Sequence, residues 1–84
     1  MSTRYTRSDA VAVFSTFSRI MSDTASNWAL DHNATYGGYV IVERNADGSE
    51  SRPFGNRRRP AGEFCRTLQF AVDAVAMARV ANNA

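Results

Sequence analysis

The chain has no lysine. All ten of its cations are arginine, set against eight carboxylates. Each cation is therefore a planar, always-charged fork suited to phosphate or carboxylate. The all-arginine, alanine-rich composition also fits a GC-rich coding genome. There is one cysteine, Cys65, so no intrachain disulfide is possible, which agrees with a reducing cytosol better than with a secreted scaffold. There is one histidine, His32. One Cys and one His cannot supply the three or four ligands of a zinc site, and neither a metal nor a cofactor is expected. No stretch approaches the ~18–20 apolar residues of a membrane span. The N-terminus is polar and basic with no apolar segment of a secretory signal. The expectation is a cytoplasmic protein with no membrane partner, in which the Asn33-Ala34-Thr35 sequon is a chance match.

With 84 residues the chain supports one small domain over 1–84, with 1–5 as a frayed tail. A domain of this size buries only ~60–65% of the surface of its unfolded chain. Net charge is +2, unevenly spread: Met1–Ser51 carries −2, Arg52–Arg66 carries +4, and Thr67–Ala84 is neutral. The basic character belongs to one short segment.

Thr6 and Asp9 have the spacing of a capping box. Ala10, Val13, Phe14, Phe17, Ile20 and Met21 then recur at three and four, which predicts a helix over 7–22. Gly38–Arg44, GYVIVER, is the strongest strand signal. Its apolar residues on both faces suggest a central or doubly covered strand. Asn45-Ala46-Asp47-Gly48 is turn chemistry, and Ser49–Phe54 is expected to return as an edge strand ending at Pro53. Trp28–Asp31 permits either a short strand or a loop. Pro60 suits the first turn of a second helix. Phe64, Leu68, Ala71, Val72, Val75 and Ala78 then form a stripe to about residue 80. The fold class expected is α+β: a two-layer α-β-β-α arrangement, or α-β-β-β-α if 28–31 is a strand, with an antiparallel hairpin packed against two helices. Phe70 and Met77 fall outside the second helix's main stripe, on a flank between Arg66 and Asp73. With Val40 and Val42 on the far face of the strand, they suggest a homodimer through the helix flank or the sheet.

No catalytic set emerges. His32 beside Asp31 reads as a loop residue, and Cys65 on an apolar helix side reads as a small core residue. Glu43 and Glu50, with Arg44 and Arg52 nearby, read as cross-strand charge pairs. The expectation is therefore not an enzyme. The FGNRRRPAGEF segment is different, because cations at a helix N-terminus oppose its dipole. An anion landing there would engage free N–H groups and guanidinium forks together. Arg52, Arg57, Arg58 and Arg59, with Arg66, are the candidate anion or nucleic-acid site, and Tyr36 and Tyr39 are candidate base-stacking residues. DNA or RNA backbone, bound with little sequence specificity, is the first expected partner. The alternatives are an acidic protein surface and a solvated charge cluster paired with Glu50 and Glu63.

Tyr36-Gly37-Gly38, an apolar strand, a turn, Ser51, Pro53-Phe54-Gly55, Arg57-Arg58 and Glu63-Phe64 form a pattern over about a third of the chain. It resembles small uncharacterised proteins of tailed phages that infect actinobacteria. That resemblance implies an accessory protein of the bacterial host cytoplasm, and it carries no activity and no binding residues. The α-β-β-β-α order is similar to that of double-stranded-RNA-binding domains, at the level of topology only. The lysine-rich helix start of those domains is absent. The reading is a phage-type accessory module with a basic anion site, or else a protein-interaction module for a host or virion protein.

Overall fold

The computed structural model describes residues 5–32, 35 and 37–83. The elements run α1 (Arg7–Met21), a short 3-10 turn (Ser22–Ala25), β1 (Trp28–His32), β2 (Tyr39–Arg44), β3 (Glu50–Ser51) and α2 (Ala61–Asn83). This is the five-element α+β order, and residues 28–32 form a strand. The frayed-tail expectation for 1–5 does not hold at Tyr5, which packs against the core; residues 1–4, the sequon residues Asn33 and Ala34, and Tyr36 lie outside the described residues.

α1 starts as its sequence dictates. Thr6 accepts from the Asp9 amide through its hydroxyl, and the Asp9 carboxylate accepts from the Thr6 amide at 2.8 Å, so two orphan donors of the first turn are satisfied reciprocally. The helix stops where Ser22 takes a positive φ of 49°, a conformation that cannot continue a right-handed helix.

β2 is the middle strand of a three-stranded antiparallel sheet ordered β1-β2-β3. Trp28, Leu30 and His32 lie opposite Glu43, Ile41 and Tyr39. Period-two alternation then sends Tyr39 and Ile41 to one face. That face joins Ala10, Phe17, Phe64, Leu68 and Val72 in the core. The two helices lie side by side and parallel. Tyr5 sits against the start of α2, 3.5 Å from where a Gly62 side chain would begin. At the other end, Arg79 of α2 donates to the Ile20 carbonyl. A cation on the last carbonyls of α1 also complements its dipole.

The return from the hairpin departs from the expected Ser49–Phe54 strand. Asn45 and Ser49 close the turn at 2.8 Å, with Gly48 at φ 89°, a conformation that favours glycine. Only Glu50 and Ser51 form a ladder strand, opposite Arg44 and Glu43. Glu43 and Glu50 are therefore not opposite each other, as a simple hairpin reading would have them. The chain then leaves the sheet and rejoins it at Arg59, which exchanges both backbone hydrogen bonds with Tyr39 at 2.8 and 3.0 Å. Residues 52–58 arch over the span that residues 40–42 cover in β2. From this arch Phe54 folds back onto Phe17 and Trp28, with ring centroids 5.9 and 5.1 Å away.

Val40 and Val42, on the sheet face away from the helices, are 3% and 2% exposed. They are covered without a second chain, which removes the sheet-pairing argument for a dimer. Across this face the Arg58 side chain reaches Asp31 on β1. The crossing depends on Gly38, whose φ is 80° and whose added Cβ would lie 2.9 Å from the Arg58 Cβ. Gly37 is equally left-handed, at φ 72°, but opens onto free space. Both substitutions to Ala should carry the left-handed cost of roughly 1–2 kcal/mol, and Gly38→Ala should add roughly 1–3 kcal/mol of overpacking. Urea unfolding of the two variants measures the difference, with Gly38→Ala the less stable.

Candidate functional site

The arginine segment does not present three free cations at a helix mouth. It is extended, and the Tyr39–Arg59 bridge sets its alternation. Arg59 points to the helix side, where its Nε lies 3.7 Å from a Glu63 oxygen. Arg58 points to the opposite face and donates to Asp31 at 2.5 Å, while its Nη1 is buried without a hydrogen-bond partner among the described residues. Arg57 reaches forward to Glu63 in a two-pronged contact, with Nη2 to Oε2 at 3.0 Å and Nη1 to Oε1. The expectation of a triple guanidinium projecting freely is thus corrected. Two carboxylates of the same molecule already take up the three cations. Glu63, in the first turn of α2, also relieves the conflict with the helix dipole that the sequence raised. The Pro60 carbonyl accepts the Phe64 N–H at 2.8 Å, the ordinary first hydrogen bond of a helix.

The remaining candidates scatter. Arg52 is exposed on the arch and forms no ion pair among the described residues. Arg66 lies one turn into α2, its guanidinium 5.9 Å from the centre of the Tyr5 ring. Tyr39 is 5% exposed and stacked on His32 at 4.4 Å, so its ring is not available to stack on a base. His32 belongs to the end of β1 rather than to a loop. Cys65 is a free, buried thiol, and burial pushes its pKa up, the opposite of what a nucleophile needs. Under the arch lies an apolar cavity of about 260 Å³ bordered by Phe17, Ile41, Phe54 and Leu68, with Arg59 at its edge.

The apolar surface tells a different story. Phe70, Met77 and Val80 on α2 are 77%, 73% and 70% exposed. They share the side of the helix that faces away from the core. Phe70 also borders a groove of about 570 Å³ between the outer sides of α1 and α2, floored by Val13 and Cys65 and rimmed by Asp9, Arg66 and Asp73.

Sequence reasoning placed Phe70 and Met77 correctly as a flank, and missed Asp31 and Phe54. Phe54 had a signal, as an aromatic just after a proline that ends a strand. Asp31 had none, since its partner lies 27 residues away. No family model, curated protein or solved structure matches the chain. Among the described residues there is no group of three or more His, Cys, Asp or Glu that could hold a metal ion, and no helix is long and apolar enough to cross a membrane.

Arg57 holds the Glu63 carboxyl below its ordinary value of 4.5, chiefly through their hydrogen bond. A depressed carboxylate contributes stability above its unfolded value and loses it as the pH falls through the folded value, so the contribution disappears on the acid side of 4.5. The pair is exposed, and its effect on stability is small. Following Glu63 by carboxyl-detected NMR should show its titration midpoint rise toward the ordinary value in Arg57→Ala, while Arg52→Ala leaves it in place.

Proposed function

We propose that the chain is a non-catalytic protein-interaction module that engages its partner through the outer face of α2. The observation that carries this reading is the exposure of Phe70, Met77 and Val80 along one helix side, in a chain whose arginine cluster is already paired internally. Large apolar side chains grouped at a surface and rimmed by polar residues mark interaction sites. The resemblance to actinobacteriophage proteins supports an accessory role in the cytoplasm of an infected host. There the partner is a host protein, a virion protein or a second copy of the chain.

A second reading keeps the nucleic-acid backbone as partner. Its support is that Arg52 is unpaired among the described residues and that the Arg57 side chain is 64% exposed. An exposed ion pair is worth only ~0–1 kcal/mol, so an arriving phosphate can displace Glu63. With two accessible cations rather than four, the slope of log affinity against log salt should be about −2. Fluorescence anisotropy with duplex DNA and RNA tests it. No binding at ~50 mM salt, within the regime where phosphate contacts dominate, removes this second reading.

The interaction module is tested with a photo-crosslinking residue at position 70 or 77, and at the exposed position 50 as control, expressed in an actinobacterial cell. Adducts containing protein should form from 70 and 77 and not from 50. Their absence at both α2 positions overturns the proposal.

A further inference from the structure

Arg66, Phe70, Asp73, Met77 and Val80 are spaced four, three, four and three along α2, which places them on one helix stripe. The stripe is not uniformly apolar. It carries one cation and one anion, seven residues apart, with Phe70 between them. Neither residue is in an ion pair among the described residues, and the only hydrogen bond recorded there for the Asp73 carboxylate is from the Gln69 side-chain amide at 3.1 Å. Beside the stripe runs the groove between α1 and α2, where Val13 and Cys65 form an apolar floor.

Resting on the interaction-module reading, we infer that the occupant of this face is a second copy of the chain. The Arg66–Asp73 part of the stripe is self-complementary under a two-fold axis through the neighbourhood of Phe70, with the two α2 helices antiparallel. That axis brings the two Phe70 rings together, each beside the other's groove. On either side it sets Arg66 of one protomer next to Asp73 of the partner subunit, so the pair occurs twice, as an isologous contact requires. A parallel arrangement sets Arg66 against Arg66 and Asp73 against Asp73, which costs free energy. The helices also meet with opposed dipoles.

The area fits a weak, transient dimer. α1 has 15 residues and α2 has 23, about 22 and 35 Å long at ~1.5 Å per residue. Side by side at ~8–10 Å between axes they present a face about 20 Å wide. Overlap along α1 gives a footprint on the order of 450 Å² per protomer, about 900 Å² for the pair, before surface relief is counted. That falls just under the ~1,000 Å² that a stable interface clears, which puts this contact among weak, transient ones. Both sheets stay on the outside, giving four layers in the order sheet, helices, helices, sheet.

Sedimentation equilibrium from low to high micromolar concentration tests the inference. Wild type should move from the 9.3 kDa chain mass to twice that value. Phe70→Asp should weaken association at least about thirtyfold, the scale of a lost aromatic anchor. Its circular dichroism should be unchanged, because the side chain is 77% exposed. Arg66→Glu alone and Asp73→Arg alone should each weaken the dimer, and the double exchange Arg66→Glu/Asp73→Arg should restore it. A wild type that stays monomeric overturns the inference, as does a dimer indifferent to Phe70→Asp or a double exchange that fails to restore association. The crosslinking experiment separates this from the wider reading. An adduct at position 70 of twice the chain mass is the dimer. An adduct with a different protein overturns self-docking and leaves the interaction module standing, and no adduct removes both.

Discussion

Two backbone hydrogen bonds, between Tyr39 and Arg59, set the character of the molecule's charged end. They anchor the far end of the return segment to the central strand, and a strand-like segment sends successive side chains to opposite faces. From that single anchoring the fates of the arginines follow. Arg59 turns to the helices and Glu63, while Arg58 turns to the back of the sheet and Asp31. Arg57, beyond the ladder, reaches the first turn of α2. What reads in one dimension as a run of like charge is, in three, a set of cations sent in different directions toward two acids.

This also changes what the cluster does energetically. The Arg58–Asp31 contact is partly buried, with side chains 24% and 43% exposed, and it ties the return segment to β1 across the intervening strand. The Arg57–Glu63 contact is more open and weaker, and its main role is to place an acid where the helix dipole favours one. The chain therefore uses its most basic segment to close its own fold. The most exposed large apolar side chains are those on the back of α2, Phe70, Met77 and Val80.

Much of the scaffold was legible. α1 could be read because a capping box and an apolar recurrence at three and four agree with each other. β2 could be read because four β-favouring residues in a row, Tyr39 to Val42, leave little alternative. β1 was ambiguous for a physical reason: every one of its residues is half-buried, so Trp28 to Asp31 shows no clean alternation of apolar and polar. The third strand was read too long because turn chemistry and Pro53 mark its limits but not the departure after Ser51. The arginine site was misjudged because its partners are set by register. Asp31 faces Arg58 only after two strands and a bridge are in place, and no local pattern carries that information. Phe70 and Met77 were legible as a flank because a helix wheel is a local property.

The arch between Ser51 and Arg59 has one more implication. Seven residues span a stretch that three suffice to cover on β2, so the segment has slack that neither flanking pair constrains. Related chains can therefore gain or lose a residue or two there without shifting the ladder at Glu43 or the bridge at Tyr39. Phe54 is tied down by its seat on Phe17 and Trp28, and Arg57 and Arg58 by their pairing with Glu63 and Asp31, which leaves the residues between these points as the slack. Divergence in length is then expected on either side of that aromatic, with the aromatic itself held in place.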